Sequence, residues 1–230
     1  MDKIQIIEKL FYYIVTYSYL LLPLCFIWCG NKKKDLIPIV LALYGIICFF
    51  FLEYYDTFPK EIRKYLKTFY TFFEYSIFTI VIWYSLKSKK ARQFILIASL
   101  AFLGFQLIYL FSGKVKRLDT VPVGIETILL ITYVVYFFYQ YYKTISTSYI
   151  YNHYIFWIAV GILIYLGGSF FFYILINHLS EDQINTFGTL TYLAEIIKNI
   201  LFVIALVVYV KFPVEKNEKK QSHIPYLDMI

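Results

Sequence analysis

The stretch GTLTYLAEIIKNILFVIALVVYVK, residues 188–211, is long and apolar enough to cross a membrane. About 20 helical residues span a hydrocarbon core of about 30 Å. Near its middle this stretch carries Glu195, Lys198 and Asn199. An ionisable side chain at that depth costs roughly 3 kcal/mol on insertion scales unless it meets a partner or water. Thr191, Glu195 and Lys198 recur at i, i+4 and i+7, so they share one helix face with Asn199 at its edge. The reading of the whole chain turns on what shelters that face.

Working outward, long charge-poor blocks alternate with short basic connectors. Of 230 residues, 60% are hydrophobic and only 16% charged, too little polar surface for a soluble globule. The apolar runs are continuous, whereas barrel strands alternate over about ten residues, so the fold class is all-α and polytopic. Seven transmembrane helices are expected at residues 11–30, 36–53, 68–86, 94–112, 122–142, 154–176 and 188–211. Together they form a seven-helix domain over residues 1–211, followed by a short polar tail over 212–230. The third span is the least apolar, because it contains Glu74. The first run, after Lys3 and Lys9, lacks a small-residue cleavage site and reads as a retained helix.

The net charge of +7 resides mostly in connectors, where Lys and Arg set orientation and meet lipid head groups; the lipid bilayer, and not nucleic acid, is the expected partner. With the amino terminus outside, nine basic residues fall on the outer side and twelve on the inner. The connector NHLSEDQINT has neither Lys nor Arg and suits the outer side. These features predict an inner-membrane protein with an external amino terminus and a cytoplasmic carboxyl terminus.

In that orientation the third, fifth and seventh helices carry Glu74, Glu126 and Glu195 about 6 to 10 Å below the outer boundary, at 1.5 Å per residue. Gln106 and Ser169, late in the fourth and sixth helices, fall in the same outer half. Inner segments such as FVIALVVYV are almost purely apolar. Glu74, Glu126, Glu195, Lys198, Asn199, Gln106 and Ser169 are therefore expected to line an outward-facing polar pocket for a small ligand. The bland alternative is a private pairing of Glu195 with Lys198, one turn apart, that only locks helix packing. The row Tyr165, Ser169, Tyr173 on the sixth helix reads mainly as packing, and Gly167 and Gly168 permit close helix approach. A weak echo at an offset of 121 residues aligns LALYGIICFFF from Leu41 with ILIYLGGSFFF from Ile162. It pairs Tyr44 with Tyr165 and Glu74 with Glu195, and it would match a three-plus-one-plus-three parallel repeat.

Catalytic signatures are absent: the sequence has no HExxH, no GxSxG and no phosphate-binding or dinucleotide fingerprint, so no enzyme activity or cofactor is expected. No metal site is expected either. His153, His178 and His223 fall in connectors or the tail, and Cys25, Cys29 and Cys48 read as buried small hydrophobes. Lys198 invites comparison with the retinal-bearing lysine of microbial rhodopsins, which place an Asp four residues earlier; Ala194 stands there in this chain. The ending HIPYLDMI, after KNEKK, could dock a protein partner.

The segments FFEY around Glu74, GIETILL around Glu126 and EIIKN around Glu195 resemble those of small, uncharacterised seven-helix inner-membrane proteins of Bacteroidota. Comparable blocks form the input regions of sensor proteins. The resemblance implies membrane sensing or signalling and assigns no site residues. The expectation is a receptor or sensing subunit. A transporter using the same pocket is the alternative, and a structural or assembly subunit the third.

Overall fold

The computed structural model describes residues 3–29, 35–111, 120–144 and 150–212. They form eight α-helices: α1 (Lys3–Ser18), α2 (Leu21–Cys29), α3 (Leu36–Tyr54), α4 (Lys60–Ser85), α5 (Lys89–Phe111), α6 (Thr120–Thr144), α7 (Tyr154–Leu175) and α8 (Glu181–Lys211). Short 3-10 turns follow α3 and α7 and precede α7. No strand occurs among the described residues, in keeping with the all-α expectation. Six helices are long and apolar enough to cross a membrane, counting α1 and α2 as one; α4 falls short of that apolarity. The expected tail contact lies outside the described residues.

The first span departs from the single helix expected at 11–30. It breaks between Ser18 and Leu21, because Pro23 lacks the N–H that would bond the Tyr19 carbonyl and its ring crowds that carbonyl. The freed oxygen accepts from Leu22 N at 3.2 Å instead. It also lies against Gly45 of α3, where a Cβ would come within 2.6 Å of it. The missing side chain lets the break approach α3 closely.

Helix α8 starts well before residue 188 and takes in the second half of the connector NHLSEDQINT. Ser180 caps it: its Oγ accepts from Gln183 N, and the Gln183 side chain accepts from Ser180 N at 3.0 Å, a reciprocal capping box. Helix α4 likewise begins eight residues ahead of the expected span. Helices α7 and α8 are the most closely packed pair. The reason is small residues at the contact. A Cβ on Gly168 would lie 2.7 Å from Ala194 Cβ, and one on Gly161 would lie 3.0 Å from the Phe202 ring, whereas Gly167 faces open space.

The core is a band of fully buried aromatic and aliphatic side chains, among them Tyr19, Tyr44, Phe78, Ile82, Leu130, Ile158 and Phe202. The three cysteines are free, with Cys25 Sγ and Cys29 Sγ 3.7 Å apart on one face of α2. The outward faces carry large apolar side chains such as Trp28, Ile97, Ile108 and Phe171. A chain that leaves so much apolar surface outward fits lipid contact.

A caged lysine beside a one-ended cavity

Five elements converge where Lys198 sits, close to the middle of α8. Its side chain is fully buried, and Nζ has a hydrogen-bond donor for each of three acceptor groups. Tyr44 Oη, midway along α3, accepts at 2.7 Å, and Tyr19 Oη, at the break in the first span, accepts at 3.1 Å. Glu74 Oε1 on α4 lies 3.6 Å away as an ion pair. Ring faces close the remaining directions. The Tyr165 centroid is 4.1 Å from Nζ, those of Tyr19 and Tyr44 are both 5.1 Å, and that of Phe78 is 5.7 Å. Such a cage compensates a desolvated ammonium through hydrogen bonds, a counter-charge and aromatic quadrupoles together.

Each hydroxyl that accepts from Lys198 passes its own proton to a carboxylate. Tyr44 Oη donates to Glu74 Oε1 at 2.7 Å, and Tyr19 Oη donates to Glu195 Oε1. Tyr165 Oη donates to the other oxygen of Glu74 at 2.9 Å, and Tyr70 Oη reaches Oε1 at 3.4 Å. The core of the site is therefore a chain, Glu74–Tyr44–Lys198–Tyr19–Glu195, with α7 bracing one end. Glu195 does not pair directly with Lys198 along the helix; among the described residues the only ion pair of Lys198 is with Glu74. Asn199 turns the other way and donates to Ser18 Oγ at 2.7 Å, tying α8 to α1, while its Oδ1 has no partner.

Above the cage, on the side of the α4 amino end, lies a cavity of about 180 Å³. Its walls come from the carboxyl ends of α3 and α7 and the amino ends of α4 and α6. They include Glu74, Glu126, Thr127, Ser169, Tyr165 and Tyr173, with Lys67 toward the rim. On the opposite side Phe78 and Phe202 meet at 6.1 Å beneath the cage, above fully buried Ile82 and Ala205. The cavity thus approaches the centre of the bundle from one end and stops there.

Of the seven residues expected to form one pocket, Glu74, Glu126 and Ser169 line the cavity and Lys198 lies behind its floor. Glu195 and Asn199 belong to the cage and its α1 side. Gln106 stands apart, buried in a separate apolar groove between α4 and α5, with Nε2 unpartnered. Sequence alone assigns Tyr165 to packing and gives Tyr19 and Tyr44 no site role. Tyr19, Tyr44 and Tyr165 sit at mid-span, far from the helix ends where tyrosines anchor at interfaces, and that depth was the available signal. The internal echo also paired Tyr44 with Tyr165 and Glu74 with Glu195, all four of them members of this network.

No family model, curated protein or solved structure matches the chain.

Proposed function

We propose that the protein is a multi-pass inner-membrane receptor or sensing subunit that takes a small ligand into the cavity above Lys198. The observation that carries this reading is a cavity with buried carboxyls in its wall, reaching in from the α4 amino end and ending on a caged ion pair. A ligand contacting Glu74 would be one side chain away from Tyr44 on α3 and Lys198 on α8, and through Lys198 from Tyr19 at the break after α1, so its binding would bias helix packing. Helix α4 is the seventh span in this reading. Its Glu74 meets Tyr44, Tyr165 and Lys198, each near the middle of an apolar helix, so α4 enters as deeply as they do. The cavity end is the outer end. Trp28, Trp83 and Trp157 all lie toward the other end, where Arg92 stacks 5.0 Å from the Trp83 ring, a pairing suited to the cytoplasmic interface.

The test is thiol accessibility in intact cells. Thr71→Cys and Tyr173→Cys, both in the cavity wall, should react with a membrane-impermeant reagent, and Ala205→Cys, buried beneath the cage, should not. Labelling of both positions only when the reagent is presented from the cytoplasmic side, in inverted vesicles, would invert the orientation. A second reading, a transporter with alternating access, is favoured by the break at Tyr19 beside Lys198, since discontinuous helices at mid-membrane commonly form transport sites. A bound compound that accumulates in proteoliposomes would select the transporter; binding without flux would select the receptor.

A further inference from the structure

We propose that the cavity beside Glu126 is a binding site for a small organic ammonium ion, a protonated primary amine with an apolar body of about benzene size. The inference rests on the ligand-pocket reading above and names the chemical class that pocket accepts. Glu126 is 5% exposed and lines the cavity, yet its carboxylate has no hydrogen-bond or ion-pair partner among the described residues. A buried carboxylate without a partner is costly, and a cation of suitable size would supply what is missing.

The remaining walls define which cation. Ser169 and Thr127 have already given their hydroxyl hydrogens to the Tyr165 and Val123 carbonyls, at 2.7 and 2.8 Å. They turn lone pairs toward the space. Tyr165 and Tyr70 have given theirs to Glu74. A lining with so many committed hydrogens receives donors better than it offers them. Glu74 is already paired with Lys198, and Lys67 at the rim lies over the Tyr55 ring at 5.7 Å, leaving Glu126 as the cavity carboxyl with no ion-pair partner among the described residues. No cluster of three or more His, Cys, Asp or Glu exists among the described residues. Phe51, Tyr70, Tyr165 and Tyr173 supply ring surface instead. Tyr165 already presents a ring face to one ammonium, that of Lys198. Engineered cavities of about 150 Å³ accept benzene, so a volume of about 180 Å³ suits an aromatic or branched monoamine.

Benzylamine is the probe, with benzyl alcohol and benzoate as neutral and anionic counterparts of the same size. The full chain in phosphatidylcholine nanodiscs is titrated at pH 7 and binding is read calorimetrically. Saturable binding of benzylamine is expected, with at least tenfold weaker binding of both counterparts. Glu126→Gln should weaken benzylamine at least tenfold, and Ser169→Leu, which fills the cavity and keeps the carboxylate, should do the same. Equal binding of benzyl alcohol, unchanged affinity in Glu126→Gln, or no saturable benzylamine binding would overturn the ammonium assignment. Binding of the alcohol or the acid that Ser169→Leu abolishes would leave the ligand-pocket reading standing with another ligand class. If no probe binds and Thr71→Cys and Tyr173→Cys are both unreactive, the pocket reading fails as well.

Discussion

Helices α8 and α5 are similarly apolar, yet α8 is the most buried of the six span-length helices and α5 the least. Each carries a polar residue inside its apolar run, and the outcomes are opposite. Lys198 of α8, the harder group to bury, is surrounded by two hydroxyls, a carboxylate and four rings. Gln106 of α5, the easier one, keeps an amide nitrogen without a partner in an apolar groove. Depth in a membrane helix therefore does not define a site. Convergence does, and convergence depends on how many other helices reach the same point. Around α8 four other elements do so; α5 sits at the edge, beside α4 and α6.

The largest expected effect breaks the α8 side of that comparison. Lys198→Met leaves Glu74 and Glu195 without their cation and should destabilise the protein by about 3 to 5 kcal/mol, as removal of one partner from a buried pair does. Thermal unfolding in detergent measures it. Adding Glu74→Gln should recover more than about 1 kcal/mol of the loss, because the two groups are in contact. Glu126→Gln should be additive with Lys198→Met to within about 0.5 kcal/mol, since Glu126 lies in the cavity and not in the cage. Strong coupling to Glu126 would merge cavity and cage into one site.

Next in size are the hydroxyls. Tyr44→Phe removes bonds to two charged groups and should cost roughly 1.5 to 3 kcal/mol, whereas Tyr70→Phe, giving up only long contacts to Glu74 at 3.4 Å and Tyr19 at 3.5 Å, should cost less than about 1 kcal/mol. Equal losses would mean that the cage is held by ring packing and not by its hydrogen bonds.

The helices were legible in the sequence because apolar length is a one-dimensional property, and Glu74, Glu126, Glu195 and Lys198 stood out against it. Which of them meet was not legible. Helical periodicity places Glu195 and Lys198 on one face, but it is the reach of Lys198 across to α4 that gives it to Glu74. The break at Tyr19 hid behind an uninterrupted apolar run whose one signal was Pro23. The start of α8 at Ser180 was written in the pattern SEDQ, a capping box that the polar look of the connector masked. Tyr165 reads as packing in its helical row, and Tyr44 carries no signal beyond the echo among 25 tyrosines, most of whose positions fit packing and interface roles.

Two glycines sharpen the comparison at smaller cost. Gly45→Ala would press a Cβ to 2.6 Å from the Tyr19 carbonyl oxygen, a backbone atom that cannot turn aside. The junction carrying Tyr19 must shift, and a loss of about 1 to 3 kcal/mol is expected, as for overpacked cores. Gly104→Ala on α5 meets nothing within 4 Å and should instead stabilise by roughly 0.5 to 1 kcal/mol through helix propensity. If both substitutions move the unfolding temperature in the same direction, the crowded and open sides of the bundle have been misassigned.

The smallest effect falls on Gln106, and its sign carries the information. Gln106 Nε2 is buried without a partner, and the groove around it is lined by Leu66, Phe69, Phe72, Leu103 and Leu107. An unpaired amide in such surroundings opposes folding, so an apolar side chain of similar size should be tolerated or preferred. Gln106→Leu is expected to leave stability unchanged or to raise it by up to about 1 kcal/mol, read as the unfolding temperature in detergent and again in nanodiscs. The contrast with Lys198→Met would then be complete: a polar group with convergent partners is indispensable, and one without them is dispensable. A loss above about 1 kcal/mol in nanodiscs alone would show that the amide finds its partner in the bilayer, from a lipid carbonyl or a second copy along α5. The edge helix would then be a contact surface in its own right.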